Sequence, residues 1–337
     1  MPDAHSRQPQ YTTDNLTSLQ SHILAEEQRH PGATGDFSWI LSAIALAAKV
    51  IANKVRGARI QDVLGDIGET NVHGEKQQKL DVIANEIIAR CLGDRANISV
   101  LASEEDEHPT VLRDRAEGGR YCVLFDPLDG SSNIDFGVGV GTIFSVLRND
   151  RLKPRDVPHH IQPGSRQVAA GYILYGSSVI FVLTTGNGVD MFVHDHSIGT
   201  FVLVDRGIRI PESNKIYSIN EAYCNTFPEG YRNYLDWAHD EGYSSRYIGS
   251  MVADVHRTLL KGGVFLYPPT KAHPEGKLRL LYEANPMAMI MDQAGGKALA
   301  GSERILDIRP TDLHQRTSVI MGSPREVDHV VRHLDSS

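Results

Sequence analysis

Residues 121–133 constrain this chain more tightly than any other stretch. Tyr121-Cys122-Val123-Leu124-Phe125 is an apolar and aromatic run of strand length, followed at once by Asp126-Pro127-Leu128-Asp129-Gly130-Ser131-Ser132-Asn133. Such a run, bounded by Pro and Gly, reads as one buried strand, so both aspartates emerge at its carboxyl end. Open α/β sheets bind their ligands at that end. Two carboxylates three residues apart, with the fixed φ of Pro127 between them, can direct hard oxygens at one divalent cation, and the Leu128 carbonyl can add a third. Gly130, Ser131 and Ser132 then offer backbone N–H groups and hydroxyls to an anion. Metal beside phosphate is the chemistry this order implies, against the plainer reading of an Asx-rich turn with a solvated acidic pair.

A chain of 337 residues can bury a large core and favours two domains or one large one. The formal net charge of -8, with no Lys/Arg-rich run to offset it, argues against a nucleic-acid surface and agrees with a site rich in carboxylates. Cys91, Cys122 and Cys224 are odd in number, widely spaced and free of any C-x-x-C pair, which fits a reducing cytosol and packing roles. The N-terminus lacks a basic segment leading into an apolar one, and Asp14, Glu26 and Glu27 are unlike a transit peptide, so a cytoplasmic location is expected. The longest apolar stretch, 39–55, is interrupted by Ser42, Lys49, Asn53 and Lys54 and reads as too polar to span a bilayer, so no membrane association is expected.

Residues 1–33 are polar, carry Pro2, Pro9 and Pro31, and show weak periodicity around Leu16, Leu19, Ile23 and Leu24, which reads as a mobile segment with at most a short helix. Thr34-Gly35-Asp36 supplies a capping signal for a helix whose apolar positions, from Phe37 through Ile40, Ile44, Ala48 and Ile51 to Val55, keep helical spacing until Gly57. The N-terminus of that helix, with Ser38 nearby, could also hold a phosphate. Residues 62–75 read as a polar loop, and 80–93 as a second amphipathic helix with Asp81 off its apolar stripe. A strand at 98–101 runs into Ser103-Glu104-Glu105-Asp106, so further carboxylates end a strand as Asp126 and Asp129 do. Strands follow at 140–148, 168–175, 178–184, 189–193 and 201–204, with a hairpin signal at Gly186-Asn187-Gly188. A domain boundary is placed near Asp205, separating an N-terminal α+β domain, 34–205, from a C-terminal α/β domain, 206–337, in which strands and helices again alternate.

Asp-Pro-Leu-Asp-Gly-Ser-Ser-Asn after a strand resembles the metal-site motif of the inositol-monophosphatase-like phosphatases. Several further stretches are similar to class I fructose-1,6-bisphosphatases: Asn71-Val72-His73-Gly74-Glu75, Lys79-Leu80-Asp81, Ser103-Glu104-Glu105, Arg246-Tyr247-Ile248-Gly249-Ser250-Met251, Gly263-Val264-Phe265-Leu266-Tyr267-Pro268 and Gly276-Lys277-Leu278-Arg279-Leu280-Leu281-Tyr282-Glu283. They occur in the family's order from about residue 34 to 323. The resemblance implies an αβαβα sandwich of the sugar phosphatase type, a homotetramer, and Mg²⁺-dependent hydrolysis of the 1-phosphate of fructose 1,6-bisphosphate in gluconeogenesis or the Calvin cycle. It implies Glu104, Asp126, Asp129 and Glu283 as metal ligands with the Leu128 carbonyl, and Glu75 as another where many relatives carry Asp. Asp81 and Glu105 would position and deprotonate the attacking water. Gly130, Ser131 and Ser132 would hold the 1-phosphate, and Asn220, Tyr223, Tyr247, Tyr267 and Lys277 the sugar and 6-phosphate, with Arg246 reaching in from a neighbouring subunit.

The chemistry read from residue types agrees with that assignment. A phosphate monoester dianion repels nucleophiles, so its hydrolysis needs cations to neutralise charge. Clustered carboxylates without an H-x-x-x-H or Cys set suit Mg²⁺ or Mn²⁺ and not zinc. Thr34, Gly35, Asp36, Ser38, Arg120, Tyr121 and Arg148 match the family's AMP site, with Arg120 where Lys is common and Ser38 where Thr is, which implies inhibition by AMP. Residues 149–164 contain no cysteine, so the thioredoxin control of the plastid enzymes is not expected. The rival readings are sedoheptulose 1,7-bisphosphatase, a dual-substrate bisphosphatase, or a non-catalytic AMP-binding regulator.

Overall fold

The computed structural model describes residues 16–28, 35–61, 63–70, 76–93, 97–113, 117–149 and 160–336. After a short ribbon of β1 (Asp66–Thr70) and β2 (Lys76–Gln78), the strand-length apolar runs build a sheet of eight strands. These are β3 (Ile98–Ser103), β4 (Thr110–Val111), β5 (Tyr121–Asp129), β6 (Val140–Arg148), β7 (Gln167–Tyr175), β8 (Val179–Thr184), β9 (Asp190–Asp195) and β10 (Thr200–Asp205). Their order across the sheet is β10-β9-β8-β7-β6-β5-β3-β4, antiparallel except where β3 and β5 run parallel. The second half forms a sheet of six from β11 (Ile216–Ser218), β12 (Ser244–Ser245), β13 (Val264–Tyr267), β15 (Lys297–Ala300), β16 (Glu303–Arg304) and β18 (Val319–Gly322). A separate pair joins β14 (Leu278–Arg279) to β17 (Arg316–Thr317).

The helices are α1 (Leu19–Gln28), α2 (Asp36–Arg56), α3 (Lys79–Gly93), α4 (Glu229–Asp240), α5 (Met251–Lys261), α6 (Asn285–Gln293) and α7 (Pro324–Asp335). Side chains alternate across a strand with period two, and that alternation sorts the core into layers. Phe144 and Phe181 face α1, α2 and α3, where Leu19, Ile40 and Leu80 meet them. Their neighbours Ile143 and Val182 face the opposite way, onto α5 and α6 and one side of the six-stranded sheet at Phe265 and Met321. Val264 and Leu266 point to that sheet's far side, against Tyr231 and Tyr234 of α4 and Val327 of α7. The result is helix, sheet, helix, sheet, helix: the αβαβα sandwich. Because α5 and α6 pack on both sheets, the two halves of the chain share a middle layer.

By length and mean hydropathy α2 could cross a membrane, but half of that stretch is buried inside the fold, which makes it a core helix. Four sequence expectations change. Residues 16–28 are not a loose tail: Leu203 N–H donates to Thr17 O at 2.9 Å, Ser18 bridges Val202, and Leu19 and Ile23 are buried, so the segment covers the β10 edge and docks α1. Part of the polar stretch 62–75 pairs as β1 with β2, and 71–75 lie outside the described residues. The capping signal ahead of α2 makes no side-chain cap bond; the Asp36 carboxylate accepts from Arg120 Nη1 at 2.8 Å instead. Asp81, off the apolar stripe of α3, is nevertheless buried, because it lies in the first turn of α3 and accepts from Gln78 N–H at 3.0 Å.

Candidate active site

In a regular strand, residues three apart point to opposite faces. Asp126 and Asp129 escape that rule because β5 carries a bulge: Asp126 pairs with Ile143 and Asp129 with Gly141, three steps on β5 against two on β6. Pro127 has no N–H to lose from the ladder, and its carbonyl accepts from the Thr142 hydroxyl at 2.8 Å. The Asp126 carboxylate accepts from Leu128 N–H at 2.9 Å, which fixes its rotamer. Glu104 and Glu105 follow directly on the parallel neighbour β3, and Glu104 N–H donates to Phe125 O at 3.0 Å, so both strands deliver carboxylates to one sheet end.

Glu283 arrives from the other half of the chain, on a single π-helical turn, Leu280–Ala284, that precedes α6. Oxygens of Asp126, Asp129 and Glu283 lie within 4.8 Å of one another. Arg279, 2% exposed, adjoins this group: its backbone N–H donates to Glu283 Oε2 at 2.5 Å, and its guanidinium Nε lies 3.4 Å from Glu104 Oε1. Burial pushes the Asp126 carboxyl well above the usual carboxylate range, and the charges of Glu104, Asp129, Glu283 and Glu105 push it further. Burial also raises Asp129, against the lowering effect of donors from Val252, Ser250 and Met251. Crowded, desolvated carboxylates need more positive charge than one guanidinium supplies. Among the described residues no His or Cys joins the cluster, so the all-oxygen donor set fits Mg²⁺ or Mn²⁺.

The N-terminus of α5 grips Asp129. Ser250 Oγ donates to it at 2.8 Å, Val252 N–H at 2.9 Å and Met251 N–H at 3.3 Å. Gly130 must be glycine here: its φ is +74°, and a Cβ would lie 2.8 Å from that of Ser250. A cavity of about 480 Å³ is lined by Glu104, Glu105, Asp126, Leu128, Asp129 and Glu283, by Gly130, Ser131 and Ser132, and by Tyr247, Tyr267 and Lys277. A second cavity of about 360 Å³ shares Tyr267 and Lys277 and adds Asn220 and Tyr223. Burial raises the Tyr247 phenol to about 12, so it remains a hydrogen-bond donor at neutral pH.

The expected residues not brought to these cavities are few. Glu75 lies outside the described residues. Asp81 does not line the cavity, although Gln78, whose N–H it holds, does. Arg246 is exposed, with Nη1 donating to Ser245 O at 2.7 Å, and lines neither cavity. Sequence reasoning gave no role to Arg279, Ser250 or Asp254, which line the carboxylate cavity; all three fall inside the quoted or adjacent motif stretches, where that signal lay.

The expected nucleotide residues gather elsewhere. Ser38, Tyr121 and Arg148 line a cavity of about 290 Å³ between α1, α2 and the eight-stranded sheet. Gly35, with φ +74°, starts α2 beside it, and Arg120 pairs with Asp36 at 2.8 Å. Phe37 packs on Tyr121 at 6.0 Å between ring centres, and the Ser38 hydroxyl donates to Glu27 of α1. Thr34 lies outside the described residues.

Family models described as fructose-1-6-bisphosphatase, N-terminal domain and C-terminal domain, match residues 17–206 and 210–335. The class 1 fructose-1,6-bisphosphatase of Persephonella marina is 52% identical over 317 residues, 94% of this chain and 98% of its own length. That of Chlorobium chlorochromatii is 49% identical over 321 residues, 93% of this chain and 96% of its own. The crystal structure of Leishmania major fructose-1,6-bisphosphatase in holo form superposes with a TM-score of 0.89 at 42% identity, covering 95% of this chain and 99% of that one. From the carboxylate end of its sheets to the order of its domains, this chain belongs to the fructose-1,6-bisphosphatase class 1 family.

Proposed function

We propose that this protein hydrolyses the 1-phosphate of D-fructose 1,6-bisphosphate to fructose 6-phosphate and phosphate, with Mg²⁺, or Mn²⁺ in its place, held by Glu104, Asp126, Asp129, Glu283 and the Leu128 carbonyl. One observation carries the reading: the carboxylate cavity and a second cavity adjoin, with Tyr267 and Lys277 lining both. That shape suits a ligand with an anionic group at each end. The 1-phosphate lies against Gly130, Ser131 and Ser132, and the sugar and 6-phosphate against Asn220, Tyr223, Tyr247, Tyr267 and Lys277. A divalent cation held by the carboxylates supplies charge neutralisation at the phosphoryl group. Glu105, on the same wall, takes a proton from the attacking water, and Asp81 supports that wall through Gln78. Arg279 gives Glu283 a backbone N–H and sets its guanidinium against Glu104, which holds both carboxylates in place.

AMP is the proposed inhibitor, held in the cavity of Ser38, Tyr121 and Arg148 with Thr34, Gly35, Asp36 and Arg120 at its rim. A Leishmania major relative has been crystallised in a T-state, which fits a two-state enzyme. A homotetramer would give exposed Arg246 a neighbouring site to enter, and light scattering should return four times the chain mass. The deciding experiment is phosphate release from fructose 1,6-bisphosphate with and without Mg²⁺, then with AMP. Release that requires the metal and falls with AMP supports the reading; a folded protein that releases none with any divalent cation refutes it.

A further inference from the structure

Asp254 is 0% exposed, in the first turn of α5. A carboxylate buried that deeply is costly unless every lone pair is used. Here Ser218 Oγ donates to it at 2.8 Å, Ile248 N–H at 3.0 Å, Gly249 N–H at 3.0 Å and Arg257 Nη1 at 2.8 Å. Two of those donors are backbone amides of 246–249, the strap that carries Arg246 and Tyr247. The strap makes no helix or strand of its own, and Gly249 within it has φ +87°. On its other side, the Gly249 carbonyl accepts from Asn133 Nδ2 at 3.0 Å, which ties the strap to the turn that follows Gly130.

We propose that Asp254 is the positioning residue of this strap: its carboxylate holds the Ile248 and Gly249 amides and so fixes where Tyr247 stands in the cavity. The inference rests on the bisphosphatase reading above. One helix then serves both ends of the site. The Ser250, Met251 and Val252 donors of α5 hold the metal-end Asp129, while Asp254, a few residues later, holds the sugar-end strap. The hydrogen bonds of Asp254 go to Ser218, Ile248, Gly249 and Arg257 and none to the metal-end carboxylates, so it acts through the strap and Tyr247.

The Ile248 and Gly249 amides both donate to Oδ2, so Asp254→Ala, which removes both carboxylate oxygens, leaves both strap amides without their acceptor. Tyr247 contacts the part of the substrate remote from the reacting phosphate, in ground and transition states alike, and loss of uniform binding raises KM with little change in kcat. The test is steady-state kinetics of this variant alongside a Mg²⁺ titration. The KM for fructose 1,6-bisphosphate should rise by about tenfold or more, kcat should stay within about threefold, and half-saturating Mg²⁺ within about twofold. An unchanged KM in a folded variant overturns the proposal. So does a parallel loss of kcat, KM and Mg²⁺ response, which is what a general structural role produces. If the variant does not fold, hydrogen exchange of the wild-type protein decides: protected Ile248 and Gly249 amides in the absence of substrate support the strap anchor, and unprotected ones overturn it. Failure of the wild-type protein to hydrolyse the bisphosphate would instead remove the activity on which the inference stands, and the wild-type assay separates the two cases.

Discussion

Asp126→Asn removes one charge from the carboxylate cluster while keeping the shape that accepts Leu128 N–H. Lost metal binding should cut kcat by roughly 10²-fold or more in the phosphate-release assay. The metal-free variant should melt no lower than the metal-free wild type, since a repelling charge has gone; a much lower melting temperature would mean that the carboxylate holds the fold and not a cation. The same electrostatics set a pH dependence. Asp126 and Asp129 have folded-state pKa values above the ordinary 3.8, so their contribution to stability is fully present below that value and is lost as pH rises through the folded values. Metal-free protein should therefore lose melting temperature as pH rises above the ordinary carboxylate range, and Mg²⁺, by replacing the protons, should restore it. The gain on adding Mg²⁺ should be larger at about pH 8 than at about pH 5.5, and an equal gain at both would contradict the shifted carboxyls. At this scale the donor types were legible in the sequence, as was their order. Their mutual distances were not, because Glu283 is separated from Asp129 by more than a hundred residues of chain.

The start of α5 is where element geometry and site geometry coincide. Ser250 caps the helix, accepting from Ala253 N–H at 3.4 Å, and its hydroxyl also donates to Asp129. Ser250→Ala should cost about 1 kcal/mol through the lost cap, lowering the melting temperature of a chain this long by about 1–2 °C. It should also raise half-saturating Mg²⁺, since Asp129 loses the donor that orients it. Calorimetry and a metal titration read the two effects separately, and a stability loss with no change in Mg²⁺ response would show that capping alone matters. The helices at Asp36–Arg56 and Lys79–Gly93 were readable from apolar spacing and a closing glycine. The ribbon of β1 and β2 was missed, since its strands are too polar to alternate visibly. The bulge in β5 was also invisible: Pro127 signals a break in the ladder, but which partner residue is skipped depends on β6.

At the scale of the molecule, the metal cluster and the proposed nucleotide cavity lie in different parts of one sandwich. The cavity of Ser38, Tyr121 and Arg148 sits under α1 and α2, whereas the carboxylates end β3 and β5. Arg148→Ala and Ser38→Ala should each weaken AMP inhibition by about tenfold, the worth of one charge-assisted or well-placed hydrogen bond. Both should leave kcat and KM without AMP within about twofold, and inhibition curves that do not move would place AMP elsewhere. Residues 16–28 matter here more than their polar sequence suggests, because α1 supplies His22, Ile23, Glu26 and Glu27 to the cavity wall. Docking of that segment depends on only two fully apolar buried anchors, Leu19 and Ile23, too few to make a clear periodic signal.

Local features follow from the order of residues alone: which runs become strands, which stripes become helices, and that Asp126 and Asp129 follow a buried strand with glycine, serines and oxygen donors beside them. Those follow from periodicity, from the fixed φ of proline and from the reach of backbone amides, all of which act within a few residues. The tertiary structure decided what meets across the chain. It placed Glu283 and Arg279 on a turn against β5, used α5 to grip Asp129 and the 246–249 strap together, and packed α1 over an edge strand. Such meetings are set by sheet order and by shared burial between layers, and no short-range pattern in the chain encodes them.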